Sequence, residues 1–472
     1  MRIYTAILFA ILFGAINLFG SDWSAVACGG EFTMAIKNDG SLWGWGFNGN
    51  GQLGIASSET VFDEPVRVGE DNDWAQIDCG GFHVLAIKND GSLWGWGLNG
   101  NRQVGSGIPD MSIPEPVLVS TDKWTSISAG MISSFAIRQD GTLWAWGNNT
   151  YQVLGVGGSE TIDHPTQIGN DSDWERVAAS GFHVIAMKTE GTIWGWGYNL
   201  TGQTGTGSED EVVTAPTQIG GAGDWTDIKT GYEFSIGHKR DGTLWGWGFN
   251  GNGQLGVEIN DTQANAPVKI NEDTDWVEVE AGSAYTLAIK DDGTLWGWGF
   301  NGNGQLGNGT MANYETPEKV SDESDWTSIA AAEGIVVQSS VFGFHTIGLR
   351  SDENGYCAAG ANYVGQLGNG ALENETSFTC GLGTAVDEEI ISQSDINIYP
   401  NPAQDALTVR ADVIIPGTIA IFDASGRMIT ARPALFAGGE ETLDVSQFPA
   451  GAYFMIVKTA GAERSIPFTI AR

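Results

Sequence analysis

The chain offers five histidines, four cysteines and 58 acidic side chains as groups with chemistry to perform. Histidine is the usual zinc ligand, yet no His-x-x-x-His or His-Glu-x-x-His spacing occurs. His83 and His183 each fall nine residues after a tryptophan, Trp74 and Trp174, so they mark one position of a repeat. His345 occupies the same position in a longer unit. Groups fixed at equivalent points of separate units do not converge on one ion, so these three are expected to make structural hydrogen bonds. His164 and His238 are isolated. The acids Asp71-Asn72-Asp73, Asp171-Ser172-Asp173 and Asp273-Thr274-Asp275 stand two apart, a spacing calcium uses. The twelve-residue loop with a central Gly and a terminal Glu is missing, so solvated turns are expected, with calcium as the alternative. No Gly-x-Ser-x-Gly elbow and no phosphate-binding loop occurs outside repeated turns. No catalytic residue, cofactor or metal ligand is assigned.

The elements that would hold any site come from self-similarity. A tryptophan recurs at Trp23, Trp74, Trp124, Trp174, Trp225, Trp276 and Trp326, spaced by 50 or 51 residues. Twenty residues after each of the first six begins Trp-x-Trp-Gly: Trp43-Gly44-Trp45-Gly46, then from Trp94, Trp144, Trp194, Trp245 and Trp296. These positions account for all 19 tryptophans, so the residue serves the repeat and not a single site.

In one unit, Trp276-Val277-Glu278-Val279 alternates as a strand does, and Tyr285 to Lys290 is a second strand. Asp291-Asp292-Gly293 is a hairpin turn, and Thr294 to Gly299 the third strand. There Trp296 and Trp298 share one face, while Gly297 and Gly299 leave the other bare for a neighbouring sheet. Pro317-Glu318-Lys319-Val320 is a short edge strand. Four strands in about 50 residues, seven times over, predict a seven-bladed β-propeller. Its Trp pairs should be buried between blades.

The units resemble the regulator of chromosome condensation repeat family. The resemblance rests on Trp74-Ala75-Gln76-Ile77, Gly81-Phe82-His83, Asp90-Gly91-Ser92-Leu93, Trp96-Gly97 and Gly253-Gln254-Leu255-Gly256. It covers about 22–380 and implies the propeller fold. The namesake is a nucleotide exchange factor that binds chromatin; relatives include signalling modules and a secreted β-lactamase inhibitor. No segment here matches an exchange-factor wedge or a basic chromatin-binding tail, so those activities are not carried over.

Blade seven departs from the pattern. His345 follows Trp326 by 19 residues where His83 follows Trp74 by nine, so ten residues have entered within about 333–342. Loop variation on a rigid scaffold is where binding sites arise. Glu333, Ile335, Val336, Val337 and Phe342 are therefore the candidate binding residues. The same blade has Cys357 and Ala359 in place of its Trp pair, and Cys380 aligns with Lys319 in the fourth strand. Neighbouring strands bring Cα atoms within disulfide reach, so a Cys357–Cys380 bridge is expected. Cys28 and Cys79 repeat one position in adjacent blades and their pairing stays open.

Residues 381–394 read as a linker. From 395 to 472 short alternating strands between Gly and Pro turns suggest a small immunoglobulin-like β-sandwich. Ile398-Tyr399-Pro400-Asn401-Pro402, Ile419 to Asp423, Gly426-Arg427 and Pro449-Ala450-Gly451-Ala452-Tyr453-Phe454 resemble the type IX secretion sorting domain. That resemblance implies handling by the type IX machinery, with release or attachment at the cell surface. Arg2 followed by an uncharged run to Gly20 reads as a signal peptide, 1–20, which leaves 21–380 for the propeller. Ala25-Val26-Ala27-Cys28 only loosely resembles a lipidation signal, and no later segment is apolar enough to form a transmembrane span. Residues 21–391 hold 15 basic and 50 acidic side chains, which repel nucleic acid and attract cationic partners. The expected function is a secreted or surface-attached module that binds a protein or glycan. The alternative is a secreted hydrolase using acids at the ring's centre.

Overall fold

Each tryptophan-headed repeat becomes one four-stranded antiparallel sheet whose strands lie in chain order. In blade two these are Trp74–Cys79, His83–Lys88, Leu93–Leu98 and Ser112–Ser120. The computed structural model describes residues 22–221, 223–257, 261–332, 335–337, 340–351, 355–383, 396–411, 414–423, 428–437, 440–459 and 463–471. The chain divides into two compact units, 1–383 and 384–472. In the first unit the seven first strands touch in sequence, and that of blade seven, Trp326–Ala331, touches that of blade one, Trp23–Cys28. The ring is closed with seven blades.

The repeated motifs are hydrogen-bonding devices. At the second hairpin Asp90 Oδ1 accepts from the Ser92 N–H at 2.8 Å and from its hydroxyl at 2.6 Å, while Gly91 takes φ +84°. Ser92 Oγ in turn accepts from Trp94 Nε1 at 2.9 Å. The Asn-x-Asn-Gly-Gln-Leu-Gly loop works in the same way. Asn250 Oδ1 accepts from the Leu255 N–H at 2.9 Å, and Gln254 Oε1 from the Asn252 N–H at 2.9 Å. The Gln254 carbonyl is left to accept from Trp298 Nε1 of the next blade at 3.0 Å. The second tryptophan of every pair, such as Trp196 or Trp298, is fully buried at the interface. Gly97 shows why glycine follows it. At φ +97° a Cβ there would stand 2.9 Å from His83 Cα and 3.3 Å from Gln52 Cα of the preceding blade.

The first tryptophan of each pair, as at Trp94 or Trp194, is largely buried as expected and keeps a partly exposed edge where a cation covers it. One expectation needs correction. The fourth strand of blade six starts earlier than Pro317, at Tyr314, and runs to Lys319 past a register shift.

Blade seven repairs its lost tryptophans from other positions. Tyr356 stacks on Trp45 of blade one at 4.8 Å and meets Trp23 edge-on at 5.9 Å. Phe378, from the fourth strand, tilts against Trp326 at 4.7 Å. Cys357 is bridged to Cys380, across the third and fourth strands. Cys28 and Cys79 are buried and free of any disulfide.

The second unit has a three-stranded sheet of Ile396–Tyr399, Ala406–Ala411 and Glu440–Asp444. Its four-stranded sheet is ordered Met428–Ala437, Ile414–Asp423, Gly451–Thr459, Glu463–Ile470. Leu407, Val409 and Leu443 from one sheet and Ile421, Met455 and Phe468 from the other share one core, which makes the unit a β-sandwich.

Candidate functional site

The first strands of all seven blades line a central cavity of about 390 Å³. It gathers Asp78, Arg176, Asp227, Lys229 and Glu280. These groups bind one another across blade boundaries. Asp78 Oδ2 accepts from the Ala129 N–H at 2.7 Å, and Ser128 Oγ from the Ala179 N–H at 2.9 Å. Arg176 pairs with Asp227 at 3.3 Å, and Lys229 with Glu280. Glu278 Oε1 accepts from the Ile329 N–H at 3.0 Å. Cys28 Sγ donates to the Ala330 carbonyl and Cys79 Sγ to that of Ala27. Each of the seven interfaces is thus tied by a first-strand side chain. Burial pushes the Asp78 carboxyl up to about 6, and burial outweighs the nearby Lys229 to push Glu280 up to about 7.

The aspartate pairs hold lysines. Lys88 Nζ lies 2.5 Å from Asp71 and 2.9 Å from Asp73, and Lys188 and Lys290 repeat the arrangement with 171/173 and 273/275. The same ammonium sits over both Trp74 and Trp94, at 4.7 and 4.8 Å. Lys37, Arg138, Lys239 and Arg350 cover their own blades' tryptophans. These carboxylates therefore bind built-in cations while staying about half-exposed in the turns. Among the described residues no group of three His, Cys, Asp or Glu could hold a metal ion.

His83, His183 and His345 are fully buried at three separate interfaces. Their Nε2 atoms bond hydroxyls of the next blade: Ser134 at 2.8 Å, Ser235 at 2.9 Å and Thr33 at 2.9 Å. Burial holds each imidazole down to about 3.

The insertion of blade seven lies between its first and second strands, where the other blades make tight turns. It forms a separate two-stranded hairpin, Ile335–Val337 against Ser340–Phe342. Ile335, Val336, Val337 and Phe342 are thus brought together on one hairpin, while Glu333 lies outside the described residues. The sequence reading missed the central charge network. Its charged members are spread over four repeats and differ in type from blade to blade, so self-similarity does not flag them. The cation fourteen residues after each first tryptophan, at 37, 88, 138, 188, 239 and 290, was regular enough to be found.

Residues 13–270 match the RCC1-like domain model, and 276–305 and 292–337 match regulator of chromosome condensation repeats. Residues 397–468 match the secretion system C-terminal sorting domain. The ultraviolet-B receptor UVR8 of Arabidopsis thaliana is 29% identical over 327 residues, 68% of this chain and 62% of the receptor. The mitochondrial RCC1 domain-containing protein RUG3 of the same plant is 37% identical over 102 residues, 21% of this chain and 23% of that protein. The chain thus spans less than two thirds of the length of these relatives. Among solved structures, human WBSCR16 superposes with a TM-score of 0.62 at 20% identity, over 70% of this chain and 87% of that one. Yeast RCC1 (Prp20), solved bound to Kap60, gives 0.61 at 20% identity, over 70% and 80%. Both likenesses show the fold. With the family model covering more than half its length and seven closed blades built from the repeat, the chain belongs to the RCC1-like domain family and ends in a secretion system C-terminal sorting domain.

Proposed function

We propose that this protein is exported by the type IX secretion route and acts outside the cell, free or surface-attached, as a binding module for a protein or glycan. The hairpin of blade seven carries the reading. Among the described residues it is the one place where a blade interrupts its first turn with a separate element, and loops on a rigid ring are where recognition is built. Ile335, Val336, Val337, Phe342 and the adjoining Glu333 are the proposed contact residues. The sorting domain supports handling by the type IX machinery, and the uncharged run after Arg2 supports signal-directed export.

The hydrolase alternative needs two uncommitted acids at the centre. Asp78, Glu278 and Glu280 are each engaged by a backbone N–H or a lysine, which favours interface pinning. Probing glycan and protein arrays with the full-length protein, beside a broad panel of hydrolase substrates, separates the two. Binding without turnover is expected. Turnover that Asp78→Asn or Glu280→Gln abolishes contradicts the reading.

A further inference from the structure

One aromatic cluster on the face that carries the hairpin lacks the cation that the tryptophan clusters possess. Tyr151, in the loop between the third and fourth strands of blade three, meets Phe182 of blade four at 5.4 Å and Tyr198 at 4.6 Å. Tyr232 and Glu233 follow in the first turn of blade five, tied to this corner by Thr201 Oγ1, which donates to the Glu233 carbonyl at 3.3 Å. Phe182, Tyr232 and Glu233 lie in turns between first and second strands, the chain position at which blade seven inserts its hairpin. Tyr151 is 38% exposed, and the other members are half-buried.

Every charge that acts on these groups is negative. Burial and then Glu233 push the Tyr198 and Tyr232 phenols above their usual range, with Glu211 adding to the effect at Tyr198. Desolvation alone raises the Glu233 carboxyl, which makes no hydrogen bond or ion pair among the described residues. At the tryptophan clusters beside carboxylates, the ring supplies its own lysine or arginine. Lys88 between Trp74 and Trp94, bound to Asp71 and Asp73, is the pattern. The Tyr151 cluster has the rings and the acid but not the cation.

The backbone at Tyr151 is held against its preference. It has φ 56° and ψ 21°, and Gln152 after it has φ 54°. Left-handed backbone is costly for a tyrosine and far less so for asparagine. The equivalent positions in the other blades are Asn50, Asn101, Thr201, Asn252, Asn303 and Val364, and none of them takes a positive φ. Blade three sets an aromatic residue there in left-handed backbone, and its ring meets Phe182 and Tyr198.

We propose that Tyr151, Phe182, Tyr198 and Tyr232, with Glu233, bind a lysine or arginine side chain presented by a basic segment of a partner protein. This rests on the binding-module reading and names one class of its ligand. A cation over the rings gains from their negative faces and from the carboxylate together. The 50 acidic and 15 basic residues of 21–391 steer such a segment inward. A neutral sugar would stack on the same rings but would leave the carboxylate's charge unpaired.

The test is a fluorescence-anisotropy titration of the full-length protein with a lysine-rich decapeptide and with its lysine-acetylated counterpart. Acetylation is expected to abolish binding. Tyr151→Asn keeps the net charge and relieves the strained backbone, so it should leave the melting temperature equal or higher while weakening the peptide roughly tenfold. Glu233→Gln should weaken it to a similar extent of about tenfold. Equal affinity in wild type and both variants would mean that only the general acidity attracts the peptide, and would overturn the proposal. Neutral oligosaccharides that bind wild type and are lost with Tyr151→Asn would overturn it in favour of a sugar platform. Either result leaves array binding through the blade-seven hairpin intact, so the two readings fail separately.

Discussion

The buried histidines show how much of this protein's behaviour is set by single side chains at blade interfaces. The sequence placed His83, His183 and His345 at one repeat position and assigned them structural bonds, but it did not reveal that each bond crosses to the next blade. That partner lies 51 residues onward at Ser134, 52 at Ser235, or back at the start of the ring at Thr33, where no local pattern reaches. The pH consequence follows from linkage. Each imidazole is held down to about 3 by burial, below its ordinary value, so the unfolded chain binds more protons throughout that interval. Their contribution to stability is complete above about pH 6.5 and is lost progressively as the pH falls toward 3. Asp78 and Glu280, raised by burial to about 6 and 7, and Glu31, Glu233 and Glu278, raised in the same direction, act with the opposite sign, so the histidine contribution is read by difference. Between pH 7 and 4.5 the urea unfolding midpoint of the wild type is therefore expected to fall relative to that of a His183→Gln variant. His183→Gln, which keeps a hydrogen-bonding side chain but cannot titrate, should take up about one proton fewer on unfolding at the lower pH. An unchanged proton uptake in this variant would contradict the assignment.

At the scale of the element, the blade was legible because its determinants are local. Trp276–Ala281, Tyr285–Lys290 and the Asp292-Gly293 turn could be read from alternation and from the residues a hairpin turn requires. The Trp-x-Trp strand was legible as an interface, but its rim was not, since the lysine that half-covers Trp94 comes from another strand. Blade seven was hardest to read. Tyr356 and Phe378 restore its aromatic packing from positions that hold no tryptophan elsewhere, so an aligned repeat only shows a gap. The Cys357–Cys380 bridge closes 23 residues of that blade. Peptide mapping of the exported protein under non-reducing, denaturing conditions should recover the two cysteines linked, with Cys28 and Cys79 as free thiols. Cys357→Ser should cost roughly 3 kcal/mol by the chain-entropy estimate. Recovering Cys357 as a free thiol would contradict the closure described here.

For the whole molecule, the seven-blade count was legible from spacing alone, and the ring of first strands bears it out. What the ring encloses was not. Asp78, Arg176, Asp227, Lys229 and Glu280 are scattered through four repeats and look like ordinary alternating strand residues until closure brings them to one cavity. Their pairing across blade boundaries makes the centre a fastening, and the proposed recognition lies with the blade-seven hairpin. The most direct test uses a ligand recovered from the arrays and measures its dissociation constant by calorimetry with three full-length proteins. These are the wild type, a variant in which 333–342 is replaced by the tight turn of blade two, and Asp78→Asn. The account predicts at least roughly tenfold weaker binding when the insertion is removed, as for loss of a central contact cluster, and wild-type binding for Asp78→Asn. Unchanged affinity without the hairpin, together with loss of binding in Asp78→Asn, would contradict it and move the functional site to the central cavity.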